Sequence, residues 1–326
     1  MISLFTMSNR YLLLPLFVLV LFAAAFAQAA GDPLVSATQL RSSLDEYLLL
    51  DIRTTKEYNQ GHIPGALNAD YFAKGWAKTR NGVPNLAPPP DLLADIAGVF
   101  GIEPETRVVV VSASGSANDI GGAARVVWLL TYLGHDQVAM LDGGIRAWRD
   151  AGGELVKEHT LAESTFPYPL DNLRPHLLAG TNDIALIDFP IDARTDEYHY
   201  GWQKHPNARV AGSLEGSKRL VHASLLDEKT LKFASRDKVR KLVAESGINT
   251  QDPMVVYCNS GWWASTTWLA LYFLADHKQA SLYDGSMIEW TLDKQRPVVD
   301  TKSRIDHLWR ELKNLVGLDE RNDLMS

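Results

Sequence analysis

The chain of 326 residues contains a single cysteine, Cys258, and its setting invites chemistry. The apolar run "MVVY" leads into it, "CNSG" follows, and a second apolar run, "WWASTTWLALYFLA", begins at Trp262. The first run reads as a short strand and the second as a helix, because of their lengths and the β-branched content of the first. The thiol therefore falls at a strand end just before a helix start. In open parallel sheets, ligands bind outside the carboxyl ends of the strands. The backbone N–H groups of Asn259, Ser260, Gly261, Trp262, Trp263 and Ala264 can converge on one point there, and the helix N-terminus adds unpaired donors and the positive end of its dipole. Such a cradle stabilises an anion on sulfur, and the thiolate is the reactive form of cysteine. A persulfide, Cys–S–S⁻, would be held by the same donors. Two other readings remain open: an inert buried thiol, or a redox-sensing thiol that would be trapped as sulfenic acid.

The surrounding residues narrow the chemistry. A cysteine phosphatase needs an arginine six positions after the nucleophile to clamp phosphate through two parallel hydrogen bonds. Ala264 stands there, and no arginine or lysine occurs from Asn259 to Thr267. His176, His199, His205 and His222 have no metal-ligand spacing with acidic or thiol partners, so no metal site is expected. There is no phosphate-cradling glycine loop or dinucleotide fingerprint either, so no cofactor is expected. A formal net charge of -7 with no basic cluster argues against nucleic acid as a partner.

The elements that position the thiol occur twice. "LLLDIRTTKEY" around Asp51 returns as "IDARTDEYHY" around Asp192, and "GHIPGALN" at Gly61 is echoed more weakly by "ARVAGSLEG" at Ala208. "RVVVVSASG" matches "PMVVYCNSG", "VWLLTYLG" matches "TWLALYFLA", and "LDGGIRAW" matches "YDGSMIEW". The order is the same in both halves, and the spacing is too long for a solenoid repeat. In each copy, short strands alternate with helical stretches, which predicts an α/β fold with a mostly parallel sheet covered by helices on both faces. The copies are expected at 34–157 and 180–300, joined by a proline-bearing linker at 158–179. Residues 302–316 read as an amphipathic helix within a C-terminal segment, 301–326. Its stripe of Ile305, Leu308, Trp309, Leu312 and Leu315 is expected to pack on the second copy.

At the N-terminus, Arg10 is followed by "YLLLPLFVLVLFAAAFAQAA", an apolar stretch ending in small-residue cleavage patterns. That is the layout of a secretory signal peptide over 1–29, and it implies a periplasmic or secreted protein with no membrane contact after cleavage. An uncleaved membrane anchor is the alternative. Export makes the lone thiol notable, because cysteines in oxidising compartments normally pair, and here an internal disulfide is impossible.

Taken together, "DIRTTKEYNQGHIPGALN", "LDGGIRAW", "IDARTDEY", "VVYCNSG" and "YDGSMIEW" resemble the tandem-domain sulfurtransferases of the rhodanese family. The resemblance covers nearly the whole chain from Leu34 to Val299. It implies a catalytic second domain with Cys258 as nucleophile and a first domain that has lost its own. Ser112 aligns with Cys258, in a loop read as about six residues longer, with the helix resuming at Val126. A nucleophilic role for Ser112 itself lacks an adjacent base. The implied activity moves sulfur from a small donor, thiosulfate or 3-mercaptopyruvate, to a thiol, cyanide or a protein acceptor. "CNSG" is nearer the small neutral loop of the mercaptopyruvate type, whose members use arginines to hold the carboxylate. Tyr198 aligns with one such position. Arg209 lies near the other, shifted to the histidine of "GHIPGA", so both are substrate-binding candidates. Trp262 is read as an apolar wall of the pocket and Trp263 as packing between the domains. Asp51 and Asp192 are expected to hold backbone, Arg53 and Arg194 to form ion pairs at the domain surfaces, and His62 to be structural. A low-turnover carrier docking a partner through Trp262 and Trp263 is the rival to an enzyme.

Overall fold

The computed structural model describes residues 32–163, 166–249 and 251–301, together with Ile305, Leu308, Trp309 and Leu312; the leader read at 1–29 lies outside the described residues. The first copy runs β1 (Leu34–Val35), α1 (Ala37–Ser42), β2 (Leu48–Asp51), α2 (Thr55–Gln60), β3 (Leu67–Asn68), β4 (Lys78–Arg80), β5 (Val83–Leu86), α3 (Pro90–Val99), β6 (Val108–Val111), α4 (Ala117–Leu133), β7 (Val138–Leu141) and α5 (Gly144–Asp150). The second runs α6 (Thr181–Ile184), β8 (Ile191–Asp192), α7 (Asp196–His199), β9 (Lys218–Arg219), α8 (Arg236–Glu245), β10 (Met254–Tyr257), α9 (Trp262–Leu269, continued by a π-helical turn at Ala270–Leu274), β11 (Ala280–Leu282) and α10 (Ser286–Trp290).

The repeat in the sequence becomes a repeat in topology. Sheet order is β1-β7-β6-β2-β3 in the first copy and β11-β10-β8-β9 in the second, with every pairing in both sheets parallel. Leu178 bridges to Leu282 in parallel, in the place that β1 takes beside β7. Both faces are covered, as the unbroken apolar strands require. Along β6, Val108 and Val110 enter one core, and Val109 and Val111 another. Along β10, Met254, Val256 and then Cys258 enter the first of these cores, while Val255 and Tyr257 enter a third. The core that holds Cys258 is common to both copies and includes residues of α4 and α9.

The copies also clasp each other reciprocally. Asp142, of the first Asp-Gly turn, accepts the backbone N–H of Phe233 at 2.8 Å. Asp284, of the second, accepts the N–H of Ala87 at 2.6 Å. Each carboxylate thus satisfies a backbone donor of the opposite domain, which fixes the cleft between them.

Four expectations need correction. The first-copy loop is not six residues longer: α4 already begins at Ala117, started by a capping box of Ser116 and Asp119, so the extra residues lengthen the helix. The equivalent of "GHIPGA" is "GSLEGS" from Gly212, not the stretch at Ala208. His62 bridges Val156 as Ser213 bridges Val299, and the carbonyls of Gly61 and Gly212 accept from Arg53 and Arg194 respectively. Relative to the first copy, the second therefore carries about ten extra residues between α7 and Gly212. Arg53 and Arg194 are 7% and 2% exposed, so their ion pairs are interior ones. Finally, Ile305, Leu308, Trp309 and Leu312 are exposed rather than packed on the second copy. Both faces of that sheet are already filled from α8, α9 and α10, and Leu315 of the same stripe lies outside the described residues.

Two buried histidines give the fold a defined pH response. Burial lowers His135 and His222 to a pKa of about 4 from an ordinary 6.5. Between these values the unfolded chain binds more protons than the native one, so stability is complete above pH 6.5 and is lost as pH falls toward 4. Each histidine should remove on the order of 3 kcal/mol over that interval. Denaturant titrations at pH 7.5, 5.5 and 4.5 should show a falling midpoint, and His135→Asn should flatten the dependence. A pH-independent midpoint would contradict the assignment.

Candidate active site

The site is built outward from β10, whose last residues face opposite ways. Tyr257 turns its hydroxyl to the Asp192 carboxylate at 2.9 Å and accepts from the backbone N–H of Leu214 at 3.2 Å. Asp192 also accepts from Arg194 Nε at 2.9 Å, from Arg194 Nη2 at 2.7 Å and lies 2.8 Å from His199 Nδ1. Burial alone would raise the Asp192 carboxyl, but the Arg194 guanidinium and the His199 hydrogen bond hold it well below the usual carboxylate range. Arg194 then reaches Gly212 O at 3.0 Å and Asn259 Oδ1 at 3.4 Å. This buried network braces the strand end and the first loop residue, and its members do not line the pocket beyond Asn259.

Cys258 faces the other way and is 2% exposed. Its Sγ accepts the Gly261 N–H at 3.1 Å. The Cys258 and Asn259 carbonyls are turned away, accepting from the N–H groups of Met287 (3.2 Å) and Ile288 (3.1 Å) in α10. With its carbonyls tied back, the loop presents N–H dipoles to the sulfur, and the first-turn amides of α9 have no partner within their own helix. Sequence reading placed six loop residues around the thiol; the structure gives a direct bond from Gly261 and sets Asn259, Ser260, Trp262 and Trp263 in the pocket wall, with Ala264 buried in α9.

Ser286 was missed. It has φ +48°, a left-handed conformation that costs a non-glycine residue energy. Its hydroxyl accepts the Cys258 N–H at 3.0 Å, and its one proton is shared between Tyr283 O at 2.8 Å and Cys258 Sγ at 3.9 Å. The first copy has Gly144 at this position, with φ +59°, opposite Ser112. Ser112 itself is buried, and its Oγ has no hydrogen-bond partner among the described residues. The signal was present in the sequence as Asp-Gly-Ser against Asp-Gly-Gly.

The first domain is more than a wall. Arg125 of α4, fully buried, donates to the Asn85 carbonyl and lies 3.3 Å from Asp284 Oδ2. Its Nη1 abuts Gly261, the residue whose N–H holds the sulfur. Asn85 and Asn118 come from this domain into the pocket, a cavity of about 290 Å³ completed by Tyr198, His205, Cys258, Asn259, Ser260, Trp262 and Trp263. Asn85, Asn118 and His205 were not singled out as site residues. The roles of the tryptophans are mixed: Trp262 both lines the pocket and packs on the first domain, against Tyr71 (centroids 5.1 Å) and Phe72 (5.9 Å). Trp263 stacks on His222 at 4.4 Å and donates its Nε1–H to Asn118 Oδ1 at 2.6 Å. Tyr198 lines the pocket; Arg209 does not, being exposed with Nε bonded to the Thr291 carbonyl at 2.8 Å. Among the described residues, no cluster of three His, Cys, Asp or Glu side chains could hold a metal.

Gly261 concentrates these constraints. It has φ +85°, and a methyl group on it would collide with Arg125 Nη1 and stand 2.9 Å from the Asp284 carbonyl oxygen. Gly261→Ala should therefore displace the sulfur's hydrogen-bond donor, destabilise the protein by roughly 1–3 kcal/mol, and lower turnover by at least about tenfold. Wild-type turnover with an unchanged denaturation midpoint would contradict this geometry.

Comparison with known proteins agrees with the architecture. A model of the rhodanese-like domain matches residues 36–151 and again 177–293. The chain is 26% identical over 318 residues to thiosulfate/3-mercaptopyruvate sulfurtransferase 2 of Arabidopsis thaliana, covering 84% of this chain and 89% of the relative. It is 28% identical over 256 residues to 3-mercaptopyruvate sulfurtransferase of Rattus norvegicus, covering 76% and 83%. Among solved structures, the anaerobic ergothioneine biosynthesis enzyme of Chlorobium limicola, in complex with trimethyl histidine, superposes with a TM-score of 0.72 at 21% identity, over 82% of this chain and 70% of that one. That likeness concerns the fold. With two matched domains, two corresponding parallel sheets and a cysteine at the end of the second central strand, the chain belongs to the rhodanese-like family, as a tandem-domain sulfurtransferase.

Proposed function

We propose that this sulfurtransferase carries sulfur as a persulfide on Cys258, taking it from thiosulfate or 3-mercaptopyruvate and passing it to cyanide or a thiol. The observation that carries the reading is the Gly261 N–H at 3.1 Å from a thiol at the base of an open pocket. In the first half-reaction, the Cys258 thiolate attacks the outer sulfur of the donor. The S–S bond of thiosulfate breaks to release sulfite, or the C–S bond of 3-mercaptopyruvate breaks to release the pyruvate enolate, which takes up a proton. In the second, the acceptor attacks the terminal sulfur, the Cys258–S bond breaks, and the thiolate returns. Both steps place negative charge on sulfur where the Gly261 N–H, the Ser286 hydroxyl and the α9 N-terminus can stabilise it.

The single cysteine supports this cycle in an oxidising compartment, because no second thiol of the chain can capture the persulfide as a disulfide. Export of the protein to the periplasm or beyond is supported by the apolar N-terminal stretch and belongs to the same proposal. The docking role once open to Trp262 and Trp263 loses ground, since both rings are engaged within the chain.

Steady-state kinetics test the cycle. Varying donor against acceptor should give the parallel double-reciprocal lines of a ping-pong mechanism, and Cys258→Ser should lower kcat by at least about 1000-fold. Intersecting lines, or turnover that survives Cys258→Ser, would refute it.

A further inference from the structure

We infer that His205 and Asn118 are the substrate-contacting residues that set donor selectivity: they are neutral N–H donors that receive the planar carboxylate or carbonyl group of an organic sulfur donor. This rests on the sulfur-transfer reading above and adds how the site tells one donor from another.

The pocket lining contains no lysine, arginine, aspartate or glutamate. The nearby cations are engaged outside that lining: Arg125 on Asp284 and the Asn85 carbonyl, and Lys204 on the carbonyls of its own turn. Arg209 is held outside by Thr291, and Arg194 is buried on Asp192, Gly212 and Asn259. A small inorganic dianion approaching a thiolate meets no cationic side chain in the pocket lining, and Coulomb repulsion between like charges is strong in a half-enclosed site. The cavity of about 290 Å³ is instead near the lower end of the range that holds organic ligands, ~300 Å³.

Two side chains offer donors of known polarity. His205 arrives on the extra segment between α7 and Gly212. Lys204 Nζ donates to the carbonyls of His205 (3.2 Å), Pro206 (3.3 Å) and Ala208 (2.6 Å), which holds the segment's own turn, and the Arg209 N–H ties the segment to Thr291 Oγ1 at 2.9 Å. The Asn207 N–H donates to His205 Nδ1 at 3.2 Å, so a neutral ring carries its proton on Nε2. Burial and the neighbouring Lys204 charge both lower the ring's pKa, which keeps it neutral at pH 7. Asn118 comes from the other domain. An indole nitrogen can only donate, so the Trp263 Nε1–H must meet Asn118 Oδ1, and the amide NH₂ is the group left for a ligand. His205 and Asn118 line the same cavity as Cys258. A site that matches a polar group with fixed donors discriminates strongly against a ligand lacking that group's geometry.

The test compares kcat/KM for 3-mercaptopyruvate with kcat/KM for thiosulfate, measured on the full chain. Their ratio should fall about tenfold in His205→Ala and in Asn118→Ala, mainly through KM for 3-mercaptopyruvate. His205→Gln, which keeps an N–H donor at a similar reach, should restore the ratio to within about threefold. An unchanged ratio, an equal loss with both donors, or a failure of His205→Gln to restore it overturns the proposal. Intact mass separates this from the underlying reading. A persulfide that forms on Cys258 while the ratio stays unchanged overturns donor selectivity alone. No persulfide from either donor overturns the sulfur-transfer reading and this proposal with it.

Discussion

The two-residue period of a β-strand is the constraint on which this site depends. Tyr257 and Cys258 are chain neighbours and must face opposite sides of the second sheet. Tyr257 takes the inner side and locks onto Asp192, itself held by Arg194 and His199. Cys258 is thereby delivered to the side shared with the other domain, in the core that joins the two copies. A slip of one residue would exchange them, placing a thiol on the carboxylate and a phenol in the pocket. The buried charge network is therefore a positional device: Arg194 stabilises Asp192, Asp192 orients Tyr257, and Tyr257 fixes the parity of the cysteine.

The thiol belongs to the second domain, but the first completes its site. Arg125 lies against Gly261, holds the Asn85 carbonyl and pairs with Asp284, which in turn accepts the Ala87 N–H. The mirror contact, Asp142 to Phe233, is present without any such chemistry around it. The clasp is symmetric, and only one half of it stands beside the thiol. Ser112 stands where the second copy has Cys258, Gly144 stands where Ser286 meets the thiol, and the N-terminal turn of α4 brings Asn118 to Trp263.

Much of this was legible in the sequence because it is local or periodic. The strand ends, the Asp-Gly turns and the lone thiol before a helix are written in a few adjacent residues. What stayed hidden depends on register across the repeat and on the approach of one copy to the other. The weak echo of "GHIPGA" was aligned four residues early, which moved Arg209 into a position that Ser213 occupies and concealed the extra segment bearing His205. The glycine pair at Gly121 and Gly122 read as a loop, although in α4 these residues give Trp262 room to pack, with its backbone oxygen 3.0 Å from where a Cβ of Gly121 would lie. Asn85 and Asn118 carry no local signal, since only the approach of β5 and of α4 to the second copy brings them to the thiol. The apolar stripe at Ile305, Leu308, Trp309 and Leu312 misled for a related reason: periodicity shows that a face is apolar, not that a partner surface is free to receive it.

The central claim is that Cys258 holds transferable sulfur, and intact mass spectrometry of the purified protein addresses it most directly. After incubation with thiosulfate or 3-mercaptopyruvate, the account predicts a gain equal to one sulfur atom that cyanide removes and that Cys258→Ser does not acquire. An unchanged mass with both donors, while the thiol remains open to alkylation, would contradict it.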